Sequence, residues 1–526
     1  MTAVPARSPT AVGRGGWIIA ALLALLLVGG CAGPLPTVQR TPSQALVDTD
    51  DTRLGQLLQP LKAAHPGLSG FHVFHEPHDA FAARALLAGM ADRSIDAQYF
   101  LWHDDTVGVL LWAALWRAAE RGVRVRLLLD DANTTGLDPL LAALDAHPGI
   151  ELRLYNPVVL RGSRALGYLT DLGRLNQRMH NKSFSADNQV SVVGGRNIAD
   201  AYFGGGEGLG FVDVDVVATG PIVAEVSRQF DLYWNSASAY PAAAFVGAGG
   251  AQAQAALQAR FAAVENDPRA RQYIDTLHRS QLVGELLARR AQIEWTGGEV
   301  LYDAPAKTLG GAADTQLLLP LLMQRMGKPQ RSLDIVSPYF VPGAVGTAGL
   351  AEVARRGVRV RVLTNSLASS DERVVHAGYL KRRHDLLRAG VELYEMKPGA
   401  ADGSLRVRGR VGPAKVSGLH AKTYAVDGQR VFVGSFNFDM RSARLNTEMG
   451  LVIDSPAFAL EVGQIFEDST DEFAYRVRIA PDGENLQWLD RQMSGEVVVR
   501  QVDPETTVWK RAQVGFLAGL PIDWLL

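Results

Sequence analysis

Two short stretches hold residues that could do chemistry at phosphorus. His180, Lys182 and Asp187 are spaced H-x-K-x4-D, and His420, Lys422 and Asp427 repeat that spacing 240 residues later. Each copy is followed by a small-residue turn ending in asparagine, Gly194-Gly195-Arg196-Asn197 and Gly434-Ser435-Phe436-Asn437. On an extended chain residues i and i+2 share a face, so His180 points with Lys182 and His420 with Lys422. An imidazole and an ammonium facing one cleft can hold a phosphate and attack it. One histidine would act as nucleophile, forming a phosphohistidine. The other would protonate the leaving alcohol and deprotonate the incoming one. Lys182 and Lys422 would offset charge on the equatorial oxygens, with Asn197, Asn437 and Ser435 as further phosphate-binding candidates.

A nucleophilic histidine must be neutral and oriented, which asks for a carboxylate on its other ring nitrogen. Asp213 and Glu448 fit, 33 and 28 residues after the preceding histidine. Asp215 is the alternative to Asp213. Asp187 and Asp427 sit at strand ends, where aspartate commonly makes turns. They are read either as catalytic members of the motif or as structural ones. Asp104, Asp105, Asp130 and Asp131 are read as turn and cap residues. No cofactor or metal is implied, because the histidines lack carboxylate or cysteine partners at ligand spacing. One such motif arises easily by chance. Two copies, each with an asparagine 17 residues after its histidine and a later acid, point to one site built from two halves.

The elements that would position these residues also recur. Residues 94–101 read as a strand, 109–121 as a helix closed by Gly122, and 123–129 as a second strand. The same order returns over 332–340, a helix to Arg356, Gly357, and 358–363. Arg-Gly-Val-Arg-Val-Arg stands at 121–126 and again at 356–361. Strand–helix–strand order predicts α/β architecture, and the long period predicts duplication of a whole domain rather than a solenoid. At 526 residues the chain has room for more than one compact unit. The net charge of −2 shows no global basic field, so no nucleic acid is expected as a partner.

The single cysteine, Cys31, excludes an internal disulfide. Arg7 and Arg14 precede an apolar run from Trp17 to Val28, then Gly29-Gly30-Cys31, the pattern of a secretory signal. A helix over 17–30 would be about 21 Å long, short of the ~30 Å hydrocarbon layer. The positive-inside rule places the body of the protein across the membrane from the arginines.

Together the twin motifs resemble the phospholipase D superfamily over roughly residues 60–475. The run Arg178–Lys182, the stretch Thr364–Asp371 and the closing Leu520–Leu526 resemble its bacterial cardiolipin synthase branch. Val28-Gly29-Gly30-Cys31 resembles a lipobox, with Cys31 as the lipidated residue; the alternative is an uncleaved anchor with a chance cysteine. The resemblance implies two tandem α/β domains, each a mixed β-sheet flanked by helices, related by a pseudo-twofold axis with the motifs meeting between them. It carries the catalytic pair onto His180 and His420, with His180 the nucleophile by analogy. The expected domains are a signal and lipobox (1–31), a linker (32–45), a first catalytic domain (46–245), a helical connector (246–310), a second catalytic domain (311–480) and a C-terminal extension (481–526). The expected activity is phosphatidyl transfer between phospholipids, giving cardiolipin, by a protein anchored to a membrane and facing the extracytoplasmic side. The alternatives are hydrolysis to phosphatidic acid, a nuclease, or a non-catalytic lipid-binding scaffold. The sequence leaves the oligomeric state open.

Overall fold

The structure, a computed structural model, describes residues 35–204, 210–279, 293–399, 416–469, 473–492 and 494–521. Cys31 and the apolar run before it lie outside the described residues. Among those described, two large mixed sheets carry the architecture. The first has nine strands and the second ten. Their centres have the same plan. In the first, Val190–Gly194, Ser183–Ala186, Ser94–Tyr99, Arg124–Asp130 and Ile150–Tyr155 lie side by side. In the second the order is Arg430–Gly434, Thr423–Val426, Ser332–Val336, Arg359–Asn365 and Glu392–Met396. The last three strands of each set run parallel, and the motif hairpins pair antiparallel to them.

The repeated arginine motif is explained by its position. Gly122 and Gly357 take positive φ, 91° and 86°, where a side chain would be strained, and turn the chain from helix into strand. Arg126 then meets Asp96 across the parallel register at 2.7 and 2.8 Å. Arg361 meets Asp334 at 2.6 and 2.9 Å. All four side chains are buried, so each charge depends on its partner, and a bidentate fork is the geometry that compensates its lost hydration. Every residue of Ser94–Tyr99 is buried, as expected of a central strand covered on both faces.

Three stretches differ from the sequence reading. The expected linker lies against the first domain: Arg153 donates to the Thr41 carbonyl at 2.6 Å and Trp234 to Ser43 Oγ at 2.9 Å. The connector is helical over Ala251–Glu265 and Pro268–Arg279, but Glu294–Thr296 is an edge strand of the first sheet and Gly298–Tyr302 one of the second. Gly297 alone separates them. The C-terminal extension continues the second sheet through Leu486–Arg491 and Val497–Arg500 before a helix at Val508–Ala518. A one-residue joint and strands this short carry little periodic signal, which is why they were not legible.

Candidate active site

Each histidine follows a short extended segment that pairs with the other half. Val416–Leu419 runs parallel to Gly210–Val212, with Leu419 opposite Val212. Met179 makes the matching bridge to Thr447. The backbone amide of His420 then donates to the Val212 carbonyl at 2.7 Å, and that of His180 to the Thr447 carbonyl at 2.8 Å. In both places the residue before the histidine faces the residue before the acid. The acids are therefore exchanged. His180 Nδ1 lies 2.8 Å from Glu448 Oε2, and His420 Nδ1 lies 2.6 Å from Asp213 Oδ2. All four side chains are buried. A carboxylate on Nδ1 leaves Nε2 of each ring for chemistry.

The lysines lie where the i+2 spacing predicts. Lys182 Nζ donates to the His180 carbonyl at 2.5 Å, and Lys422 Nζ lies 3.0 Å from His420 Nδ1. Burial, reinforced by Lys182 and Lys422 against the pull of Glu448, pushes His180 down to about 4. Burial and the same two lysines hold His420 well below its usual value, and His180 adds to the effect. Lys422 is lowered to about 8 by burial, against Asp213 and Glu448, and burial holds Lys182 well below its usual value. Both imidazoles are thus neutral at pH 7. Groups of one half thus lie within electrostatic reach of those of the other.

The two acids are held differently. Burial pushes Glu448 up, but His180, Lys182 and the Ser435 hydroxyl outweigh it and hold it below the usual carboxylate range. Ser435 Oγ and Ser442 Oγ both donate to it, the latter at 2.8 Å. Its backbone amide donates to Asp303 Oδ2 at 2.8 Å. Asp213, by contrast, is raised by burial in spite of Lys422 and Arg196. In place of a serine its half has Gly195, and a Cβ there would overlap the Asp213 carboxylate. Ser435 therefore orients an acid rather than binding phosphate directly. Asn197 Nδ2 donates to Tyr202 OH at 3.1 Å, while Asn197 Oδ1 and Asn437 Oδ1 are buried without a partner.

Asp187 and Asp427 have a structural task. Asp187 accepts from the backbone amides of Asp92, Arg93 and Ser94 at 2.9, 2.7 and 2.9 Å. Asp427 accepts from those of Gln330, Arg331 and Ser332 at 3.0, 2.7 and 3.0 Å. Each ties the motif hairpin to the start of its sheet's central strand, and neither touches a histidine or lysine of the motif. The catalytic reading of these two residues is replaced by that one. Asp215, the alternative to Asp213, pairs with Arg84 at 2.9 Å and Arg196 at 3.3 Å instead.

Several contributors were missed. Asp130 takes the Arg178 guanidinium at 2.6 Å and the Met179 amide at 2.8 Å, fixing the approach to His180. Asn365, at the end of the equivalent strand, brackets Leu419 before His420 with bonds of 2.8 and 3.0 Å. Both sit at strand C-termini, where α/β sites form, and that position was the available signal. Phe100 stands edge-on to His180 at 5.0 Å and Tyr202 to His420 at 4.9 Å.

Comparison with known proteins agrees with this geometry. The family described as cardiolipin synthase, PLD-like domain, matches residues 87–234 and 322–470, once in each half. Cardiolipin synthase C of Escherichia coli (strain K12) is 45% identical over 475 residues, 90% of this chain and 100% of that protein. Cardiolipin synthase A of Pseudomonas entomophila (strain L48) is 26% identical over 79% of this chain and 70% of that one. Among solved structures, phosphatidylserine synthase of Haemophilus influenzae Rd KW20 superposes with a TM-score of 0.50 at 14% identity, covering 81% of this chain and 91% of that one. The last shows a shared fold.

Proposed function

The chain belongs to the cardiolipin synthase family with phospholipase D-like domains, and from that premise we propose how its site transfers a phosphatidyl group. His180 Nε2 attacks the phosphorus of a phospholipid. The P–N bond forms as the bond to the leaving alkoxide breaks, and His420 delivers that oxygen its proton. The hydroxyl of a second lipid, such as phosphatidylglycerol, then gives its proton to His420 and attacks phosphorus. The P–N bond breaks, and cardiolipin leaves. The choice of His180 as nucleophile is supported by Glu448, which is held below its usual value and is free to stabilise positive charge on the ring. In this step Asp213, raised by burial, holds a proton that moves to His420 Nδ1 as Nε2–H passes to the leaving oxygen, and the incoming hydroxyl's proton restores the pair.

The observation that supports this reading is the exchange of acids, in which each histidine is held by a carboxylate of the other half. A phosphodiester brings one negative charge to two buried lysines, so binding relieves their mutual repulsion. The buried, neutral imidazoles need no metal ligand or cysteine to become nucleophilic. Incubation with defined donor and acceptor lipids, followed by mass spectrometry, should give cardiolipin, and His180→Ala should abolish it. Phosphatidic acid as the sole product would make the enzyme a hydrolase.

We further propose attachment to a membrane through lipidated Cys31. The apolar run followed by Val28-Gly29-Gly30-Cys31 supports this reading. Labelled palmitate should enter the wild-type protein and not Cys31→Ser.

A further inference from the structure

The helix Val508–Ala518 packs one side against the second domain and leaves the other uncovered. Val514 is fully buried in a small cluster with Leu367 and Ala377. The outward side shows Val508, Trp509 and Phe516, the last two 72% and 70% exposed. Residues 509 and 516 are two turns apart, so their side chains share a face. Exposed tryptophan and phenylalanine on one helical face mark a surface with a use.

The position of this helix says what the use is. Arg373 donates to Gln513 at 2.8 Å, and Lys510 reaches the Ala368 carbonyl at 3.4 Å. Both partners belong to the stretch 365–373. Asn365 in that stretch holds Leu419, the residue before His420, and Asp371 acts on Lys422. The exposed face is therefore one loop away from the His420 side of the site. It also carries cations. Lys510, Arg511 and Arg373 bond neutral groups, and among the described residues no carboxylate pairs with any of them. Burial and then Arg373 lower Lys510, so the two cations are close enough to repel. An aromatic face edged by uncompensated cations is complementary to an anionic bilayer surface.

We propose that the Val508–Ala518 helix lies in the interface of an anionic phospholipid bilayer, with Trp509 and Phe516 among the acyl chains and Lys510 and Arg373 at the headgroups. It would seat the His420 side of the site at the lipid surface, where the second substrate's hydroxyl arrives. This rests on the transferase reading, in which both substrates are lipids.

The test uses the full chain on vesicles of phosphatidylglycerol brominated on the acyl chain. Bromine should quench the wild type more than Trp509→Phe, and the difference is the signal of Trp509. On vesicles, Trp509→Ser/Phe516→Ser should lose about 10-fold or more in turnover. On detergent-mixed micelles, which need no bilayer docking, it should keep wild-type turnover. Equal quenching of wild type and Trp509→Phe would overturn the proposal. So would a dimer in solution that the double substitution dissociates, since a second copy would then cover the face. Quenching is read without turnover, so failure of the surface and failure of the transferase reading are separate results.

Discussion

Glu448→Gln tests the exchanged acid with the least change of shape. The carboxylate accepts from His180 Nδ1 at 2.8 Å and from the Ser435 and Ser442 hydroxyls. As His180 attacks, positive charge develops on its ring, and Glu448 is the group in contact with it. A hydrogen bond to a charged partner is worth about 1.5–3 kcal/mol. At ~1.4 kcal/mol per decade its loss slows the step by roughly 10- to 150-fold. An amide also presents a donor that can turn the imidazole into the wrong tautomer, adding to that figure. We therefore expect phosphoenzyme formation to fall by about 10²-fold or more. Removing the negative charge lowers His180 further below about 4, so the ring stays neutral and the acid limb of the pH profile does not move upward. Quench-flow trapping of labelled phosphatidyl-enzyme measures the step directly. Thermal unfolding on the same sample shows whether the variant is folded. A folded Glu448→Gln enzyme forming the intermediate within about threefold of wild type would refute the assigned role.

Other perturbations separate the remaining roles. His420→Ala should lose turnover on phospholipids by about 10²–10⁴-fold but recover much of it on a phosphodiester with a p-nitrophenyl leaving group, whose departure needs no proton; His180→Ala should not recover. Gly195→Ala should displace Asp213 from His420 and reduce transfer by about 10-fold or more, with normal folding. Lys422 offsets phosphate charge only while protonated and is lowered to about 8, so kcat/KM should fall as pH rises through that value, and Lys422→Arg should move the fall to higher pH. Asp187→Ala strips acceptors from three backbone amides and should cost about 3 kcal/mol in denaturant unfolding, at roughly 1 kcal/mol each.

Much of the chemistry was legible because it lies in local spacing. His-x-Lys places two side chains on one face whatever the tertiary structure, and the duplicated Arg-Gly-Val-Arg-Val-Arg reports a repeated strand with a buried arginine. Contacts between the halves were not legible. The offsets of 33 and 28 residues are measured along one half, and nothing in them shows that Asp213 serves His420 and Glu448 serves His180. That depends on Leu419 meeting Val212 and Met179 meeting Thr447, pairings of segments too short to have a pattern. The motif aspartates were ambiguous for a related reason. Asp187 and Asp427 both adopt left-handed backbone, φ 50° and 54°, and their amide partners lie about 95 residues upstream. A turn-forming aspartate and a catalytic one look alike until those amides are in view.

Gly297 ties the two sheets together by their outer rims, with one strand of each on either side of it. Such a joint resists pulling apart but offers little against sliding. Were the halves to shift by a single residue, both dyads would come undone together, since alternate side chains face opposite ways along an extended chain. A slip between the halves is therefore felt in both dyads at once.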